Sequence, residues 1–326
     1  MTRRYPSVVA IVLHWQQLAQ TLGCLASLRR LEYPALQVVV VDNGSTEPVA
    51  DQAAEVFPGA QVLATGQNLG FAEGNNVGLR HAQALGADWA VLLNDDTVVA
   101  PDLLGRLVVA AEPLPQVAAA GPTIYYYDRP DTIWSAGGRI DWRSGRTEML
   151  GLDRPGAGLG PDLQATDWLS GCALLIRRAA LERVGLLDGR FFTYFEDVDW
   201  CVRASRAGYR LLHVPQARLW HRISPTRRQS SPRVSYYMAR NHLLFLHKAR
   251  LGPAVALRVL LGDHLRTVVS WTVRPRWRGR RAERDALLRG LVDYYRGRLG
   301  RSSLYSPWQP HERAAAPLAG GERMAL

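Results

Sequence analysis

The feature that most constrains the fold is an alternation filling the first hundred residues, in which short β-branched apolar runs are separated by stretches of helical periodicity. Ser7–Leu13 is a continuous apolar run of the kind buried on both faces of a parallel sheet, and Leu18, Leu22, Leu25 and Leu28 recur on one face of a helix predicted over 18–31. Pro34 closes that helix. A second strand, Gln37–Asp42, runs into the turn Asn43-Gly44-Ser45-Thr46, and a helix from Pro48 to Val56 ends at Pro58. A third strand over 62–64, a helix over 71–85 and a fourth strand over 90–93 follow, the last ending in Asn94-Asp95-Asp96-Thr97. Four strands joined by helices predict an open α/β sheet that binds ligands at the carboxyl ends of its strands.

Composition excludes several classes. At 326 residues and 47% apolar the chain can bury a substantial core, so neither global disorder nor a disulfide-stapled miniprotein fits. Cys24, Cys172 and Cys201 are odd in number and form no metal or redox spacing, which reads as buried thiols in a reducing compartment. The net charge of +11 is unevenly spread: residues 1–202 carry 15 Arg against 23 acids, a net of −8, whereas 203–301 carry 22 Arg and one Lys against four acids, a net of +19. An acidic front suits a bound cation, and a basic back suits an anionic surface such as lipid headgroups or nucleic acid. No secretory signal is evident, because the apolar run after Arg3 and Arg4 is too short. The apolar stretch Leu243–Val273 is interrupted by His247, Lys248, Arg250, Arg258, Asp263, His264 and Arg266, which argues against a membrane span but leaves an interfacial helix open. The expected location is the cytoplasm, with peripheral contact on the inner face of the membrane; solvated or protein-contacting helices account for the basic tail equally simply.

Downstream the pattern predicts a helix over 101–111, a strand over 117–124, part of a hairpin in Trp134–Ile140 and a mobile Gly/Pro-rich loop over 151–161. A strand over 173–177, a short helix over 179–184, a helix over 197–207, a strand over 210–214 and amphipathic helices beyond Ser230 complete it.

Four segments carry candidate chemistry. Asp95 and Asp96 at a strand end can hold Mg²⁺ or Mn²⁺, which prefer oxygen ligands and bridge to phosphates, although acidic turns are also common solvated loops. Asp42, followed by Asn43-Gly44, can meet a base or ribose, and is equally ordinary turn chemistry. In Phe191-Phe192-Thr193-Tyr194-Phe195-Glu196-Asp197-Val198-Asp199, three carboxylates open a helix, where the positive end of the dipole should keep them ionised, as a general base must be. Helix capping explains one or two of these acids, but not the aromatics before them, which suggest a wall for a sugar ring. His221, after the strand over 210–214, can complete a metal site or simply pack.

Taken in order, these segments resemble glycosyltransferase family 2 in its rhamnosyltransferase-like branch. The resemblance rests on Ile11-Val-Leu-His-Trp15, Val40-Val-Asp-Asn-Gly-Ser-Thr46, Asn68-Leu-Gly-Phe-Ala72 with Gly74-Asn-Asn76, and Leu92-Leu-Asn-Asp-Asp-Thr97. It continues through Ser170-Gly-Cys-Ala-Leu-Leu-Ile-Arg177, the Phe-Phe to Glu-Asp-Val-Asp segment and Trp220-His221, from about Val8 to Arg240. It implies a GT-A fold over 1–229, with a nucleotide-binding half over 1–100, an acceptor half over 101–229, and a basic helical extension over 230–326. It further implies a nucleotide-diphospho-sugar donor, a divalent cation and inversion at the anomeric carbon. Asp42 matches the nucleoside-binding aspartate, with Asn43, Asn68, Gly70, Asn75, Asn94 and Asp95 on the same nucleotide-sugar side. Asp96 matches the metal ligand, with Asp95 near the metal or ribose and His221 a metal-ligating histidine of some members. Asp197 matches the catalytic base, Glu196 and Asp199 line the acceptor side, and Trp168, Phe192, Tyr194 and Phe195 form the acceptor wall.

The expected activity is transfer of a sugar, with dTDP-L-rhamnose the favoured donor, to a cell-surface or lipid-linked glycan. Nucleotidyl transfer to a sugar phosphate would need a basic Gly-rich loop that Val8–Gln17 lacks. A polyanion-binding protein using the +19 segment would have no use for carboxylates at strand ends, so no nucleic-acid partner is expected.

Overall fold

The structure is a computed structural model and describes residues 5–223 and 231–305. Its first half follows the alternation in the sequence: β1 (Val8–His14), α1 (Leu18–Leu28), β2 (Leu36–Asp42), α2 (Ala50–Val56), β3 (Gln61–Ala64), α3 (Gly70–Ala84) and β4 (Trp89–Asn94). Helical crossovers return the chain to the same direction each time, so β3, β2, β1 and β4 lie parallel and adjacent. Register pairs His14 with Asp42 and Leu13 with Asn94, so the polar ends of three strands finish side by side.

The second half adds β5 (Thr97–Val99), α4 (Leu103–Ala111), β6 (Val117–Tyr126), β7 (Ile133–Ser135), β8 (Gly138–Asp141), β9 (Arg146–Met149), β10 (Gln164–Ala165), β11 (Ala173–Arg177), α5 (Arg178–Val184), α6 (Glu196–Arg206) and β12 (Arg210–His221). The main path runs β10-β12-β6-β11-β4-β1-β2-β3, and β11 is antiparallel to both neighbours, which makes the sheet mixed. Successive β1 residues serve opposite faces: Val9 and Ile11 enter the core that contains Ala72 and Leu79 of α3, while Val8, Ala10 and Val12 enter the core that contains Leu25 and Leu28 of α1. Gly78 lets α3 lie close on the sheet, since a Cβ there would come within 2.4 Å of Ile11 Cγ2.

One element is longer than expected: the strand placed at 210–214 continues to His221, passing through a bulge at Val214/Arg218 that accommodates Pro215 and pairing beyond it with β5 and β6. Within Trp134–Ile140, Gly138–Ile140 is part of the β8–β9 hairpin, while β7 before it pairs with β6. All three cysteines are free and buried.

Beyond the sheet lie α7 (Pro232–Lys248), α8 (Pro253–Val259), a π-helical turn over Leu260–Leu265, α9 (Arg266–Val273) and α10 (Arg281–Tyr295). Helix α7 is a core element, since Tyr236, Tyr237, Arg240, Asn241 and Phe245 are at most 1% exposed and Leu243 to Leu246 share a core with Phe191 and Phe195. The expected boundary at 229 and 230 lies outside the described residues, and the helix after it packs with the α/β part. Gly290 seats α10 on α7, because a Cβ there would stand 2.4 Å from the Tyr236 carbonyl. Among the described residues no helix is long and apolar enough to cross a membrane.

Candidate active site

The carboxyl edge of β1, β2 and β4 gathers the first group of residues. Asp42 Oδ1 accepts the Ser45 N–H at 2.9 Å, which shapes the turn after β2. Asn43 is buried, and its Oδ1 accepts from the Leu69 N–H (2.9 Å) while its Nδ2 donates to the Gly70 carbonyl (3.1 Å). Asn68 Oδ1 accepts from the Gly70 N–H at 2.8 Å, and Asn75 Nδ2 donates to the Phe71 carbonyl at 2.9 Å. These amides fasten the β2 turn to the start of α3 and so build the floor beside Asp42. Asn94 ends β4, and its side-chain oxygen is buried without a protein partner.

Asp95 and Asp96 meet different neighbours. Asp96 is buried and its Oδ1 lies 2.9 Å from His221 Nε2, because β5 brings Thr97 opposite His221 on β12. Asp95 faces β1 and α1, with its Oδ2 3.4 Å from Thr21 Oγ1, 3.5 Å from the Trp15 N–H and 3.9 Å from His14 Nδ1. Asp96 and His221 are therefore the pair suited to a hard divalent cation. Among the described residues there is no group of three or more His, Cys, Asp or Glu placed to hold a metal ion.

Asp197 sits at the first turn of α6. Its Oδ2 accepts the Gly171 N–H (2.9 Å) and its Oδ1 the Val198 N–H (2.8 Å). Burial nevertheless pushes its pKa above the usual carboxylate range, against those hydrogen bonds. Gly171 links it to the end of β4, since the neighbouring Cys172 carbonyl accepts the Asn94 N–H at 3.1 Å.

The other two acids correct the sequence reading. Glu196 is only 4% exposed and its Oε2 has no partner; burial drives its pKa well above the usual range, overriding the helix dipole. Asp199 is buried and ion-paired, held at 2.9 Å by both Arg203 and Lys248.

The aromatic wall is also revised. Phe192 stacks on Tyr237 (5.3 Å between centroids), Phe195 stacks on His242 (5.3 Å), and Trp168 is buried beneath Gly138, where a Cβ would clash at 1.9 Å. Only Tyr194 stays partly exposed. The reason is backbone conformation: Phe192, Tyr194 and Phe195 have φ of 66°, 68° and 73°, the left-handed region that costs non-glycine residues energy. Helix α7 holds this loop. Asn241 Nδ2 lies 2.8, 2.7 and 2.9 Å from the carbonyls of Phe191, Thr193 and Tyr194, and Arg240 Nη2 donates to the Phe191 carbonyl at 2.9 Å.

The profile of "Glycosyltransferase like family 2" matches residues 6–241. The chain belongs to this family. It is 31% identical over 216 residues to N-acetylglucosaminyl-diphospho-decaprenol L-rhamnosyltransferase of Mycobacterium tuberculosis, covering 60% of this chain and 70% of that one. It is 22% identical over 271 residues to dTDP-rhamnosyl transferase RfbF of Shigella flexneri, covering 81% and 88%. Mannosyltransferase PcManGT from Pyrobaculum calidifontis, solved with GDP-Man and Mn²⁺, superimposes with a TM-score of 0.54 at 18% identity, covering 90% and 88%. The shared architecture is the GT-A fold. The protein is a rhamnosyltransferase-like family 2 glycosyltransferase.

Several residues of this glycosyltransferase site escaped the sequence reading. His14 is fully buried, its Nδ1 is 2.7 Å from Thr21 Oγ1, and burial lowers its pKa. Arg222 donates its N–H to the Asp96 carbonyl at 2.7 Å and lies over the Tyr127 ring at 4.3 Å. Arg233 lies 5.8 Å from the Trp15 ring centroid. Both arginines disappeared into the general excess of the basic segment. Arg240 and Asn241 carried no signal, because only the folded loop shows what they bind.

Proposed function

We propose that the enzyme transfers L-rhamnose from dTDP-L-rhamnose, with inversion, to a hydroxyl of a lipid-linked or cell-surface glycan. The observation that supports a base acting beside the donor edge is the hydrogen-bonded link through Gly171 and Cys172, which ties the Asp197 carboxylate to Asn94 at the end of β4. The named activities of the Mycobacterium and Shigella relatives support the rhamnosyl donor, and the first of them supports a polyprenyl-diphosphate acceptor.

In this mechanism Asp42 and the floor built by Asn43 and Asn68 receive the nucleoside, and Asp96 with His221 would hold Mg²⁺ or Mn²⁺. When bound, that cation supplies charge neutralisation for the departing diphosphate. Asp197 takes the proton of the acceptor hydroxyl as its oxygen bonds to the anomeric carbon and the bond from that carbon to the diphosphate breaks. Attack opposite the leaving group inverts the centre. The raised pKa of Asp197 strengthens it as a base.

The deciding experiment pairs a donor screen with two variants. Wild type should transfer from dTDP-L-rhamnose in preference to UDP- or GDP-sugars. Asp197→Asn should lose turnover by about 10²-fold or more with nearly unchanged donor binding. Asp96→Ala should lose the metal-dependent part of donor binding by calorimetry. Full activity of Asp197→Asn, or metal-independent donor binding by wild type, would refute the respective role.

A further inference from the structure

The helical run 253–273 carries an exposed apolar row that the catalytic site does not use. Leu257, Leu261, Val269 and Val273 are 54%, 52%, 57% and 67% exposed. In a regular helix an i, i+4 row drifts about 40° per step, so the span from 257 to 273 would wind about 160° around the axis. The π turn over Leu260–Leu265 accommodates one extra residue and takes back about 100°. The four side chains therefore stay on one solvent face, a row about 24 Å long at 1.5 Å per residue.

The charge around this row is one-sided. Arg258, Arg266, Arg274, Arg276, Arg278 and Arg281 are exposed. Asp263, the single acid within 253–273, is paired with Arg146. The β8–β9 hairpin braces the helix, because Arg258 Nη1 donates to the Arg143 carbonyl at 3.1 Å and a Cβ on Gly145 would meet Leu246 at 2.6 Å and Val255 at 3.0 Å. The residue before Arg143 is Trp142, which is 44% exposed. Trp271 and Trp277 are partly buried: Trp271 packs on the core and Trp277 lies beneath Arg276 at 5.2 Å.

We propose that this face docks on an anionic lipid bilayer, with Leu257, Leu261, Val269, Val273 and Trp142 in the interfacial layer and the arginines on lipid phosphates. An apolar row beside exposed cations without exposed acids in the run matches the two layers such a surface presents, apolar chains below anionic headgroups. A helix lying in that plane can bury the whole row at once, and a tryptophan on a braced turn is a usual interfacial anchor. The proposal deepens the reading of a lipid-linked acceptor, but its geometry does not depend on which sugar is transferred.

The test is flotation of the full chain, without donor or acceptor, on phosphatidylcholine vesicles with and without phosphatidylglycerol. Wild type should bind the anionic vesicles, more weakly as salt rises. Changing Leu257, Leu261, Val269 and Val273 to Ser should weaken binding by at least about tenfold, since each exposed side chain contributes through apolar burial, while donor binding is unchanged. Arg258→Gln with Arg266→Gln should flatten the salt dependence, and brominated lipid should quench wild type more than Trp142→Phe. The proposal falls if wild type ignores anionic vesicles, if the serine variant binds as well as wild type, if Trp142 is not quenched, or if the serine changes instead dissociate a dimer of the chain. Failure of the rhamnosyl reading alone leaves vesicle binding as stated, so the two are separable.

Discussion

Removing the Asn241 side chain should uncouple Asp197, the proposed general base, from its support. Its amide nitrogen holds three loop carbonyls at 2.7–2.9 Å, and its Oδ1 accepts from Arg240 Nε at 2.9 Å. The loop so held contains three non-glycine residues with positive φ, each costing about 1–3 kcal/mol. With two N–H groups shared among three carbonyls, Asn241→Ala forfeits about two full hydrogen bonds and leaves the buried Arg240 Nε and a loop carbonyl poorly satisfied, a loss of about 2–4 kcal/mol in stability. The relieved loop carries Asp197 with it, since Phe195 is the residue that enters α6. A displacement near 1 Å costs about 10²-fold in rate. Donor KM should rise less than kcat falls, because Asp42 and Asp96 stand on strand ends that Asn241 does not touch, while the loop meets the start of α3 where the Phe192 carbonyl accepts the Phe71 N–H at 2.6 Å. Urea unfolding followed by tryptophan fluorescence reads the first quantity, and steady-state kinetics with donor and acceptor varied separately read the second. Asn241→Ser, which keeps one donor, should fall between. The reasoning is refuted if Asn241→Ala loses less than about 0.5 kcal/mol, below the range of one buried hydrogen bond, or if kcat is retained while donor KM rises.

Two further outcomes follow from burial. Asp197 and Glu196 both have pKa values raised by the fold, so each contributes stability that is complete below its unfolded pKa and lost as pH rises through its folded one. Asp197→Asn and Glu196→Gln should therefore melt higher than wild type at neutral pH, and that advantage should shrink as pH falls through the folded values; a pH-independent difference would contradict it. The acid limb of kcat/KM should lie above the range of an ordinary aspartate, for the same reason. Gly290→Ala should destabilise by about 1–3 kcal/mol through overpacking, because the atom it would strike is the Tyr236 backbone carbonyl and cannot rotate away; a wild-type melting temperature would show that α10 is not held on α7.

The sequence by itself determined the parallel half of the sheet and which residues stand at its edge. Apolar runs such as Val38 to Val41 report their burial locally, and Asp42, Asn94 and Asp95 follow because strand ends are where such runs stop. Tertiary structure decided how those residues divide their work. Asp95 and Asp96 are indistinguishable neighbours in the chain, yet pairing of β5 with β12 sends Asp96 to His221, while Asp95 faces Thr21. Glu196, Asp197 and Asp199 share one helical turn, but burial raises the pKa of the first, two backbone N–H groups hold the second, and Arg203 with Lys248 claims the third. The aromatics before them turn inward because α7, remote in the chain, supplies Asn241 and Tyr237 to hold their strained backbone. Local pattern reports which face of an element is apolar; which polar group meets which depends on contacts between distant segments, and those exist only once the chain has packed.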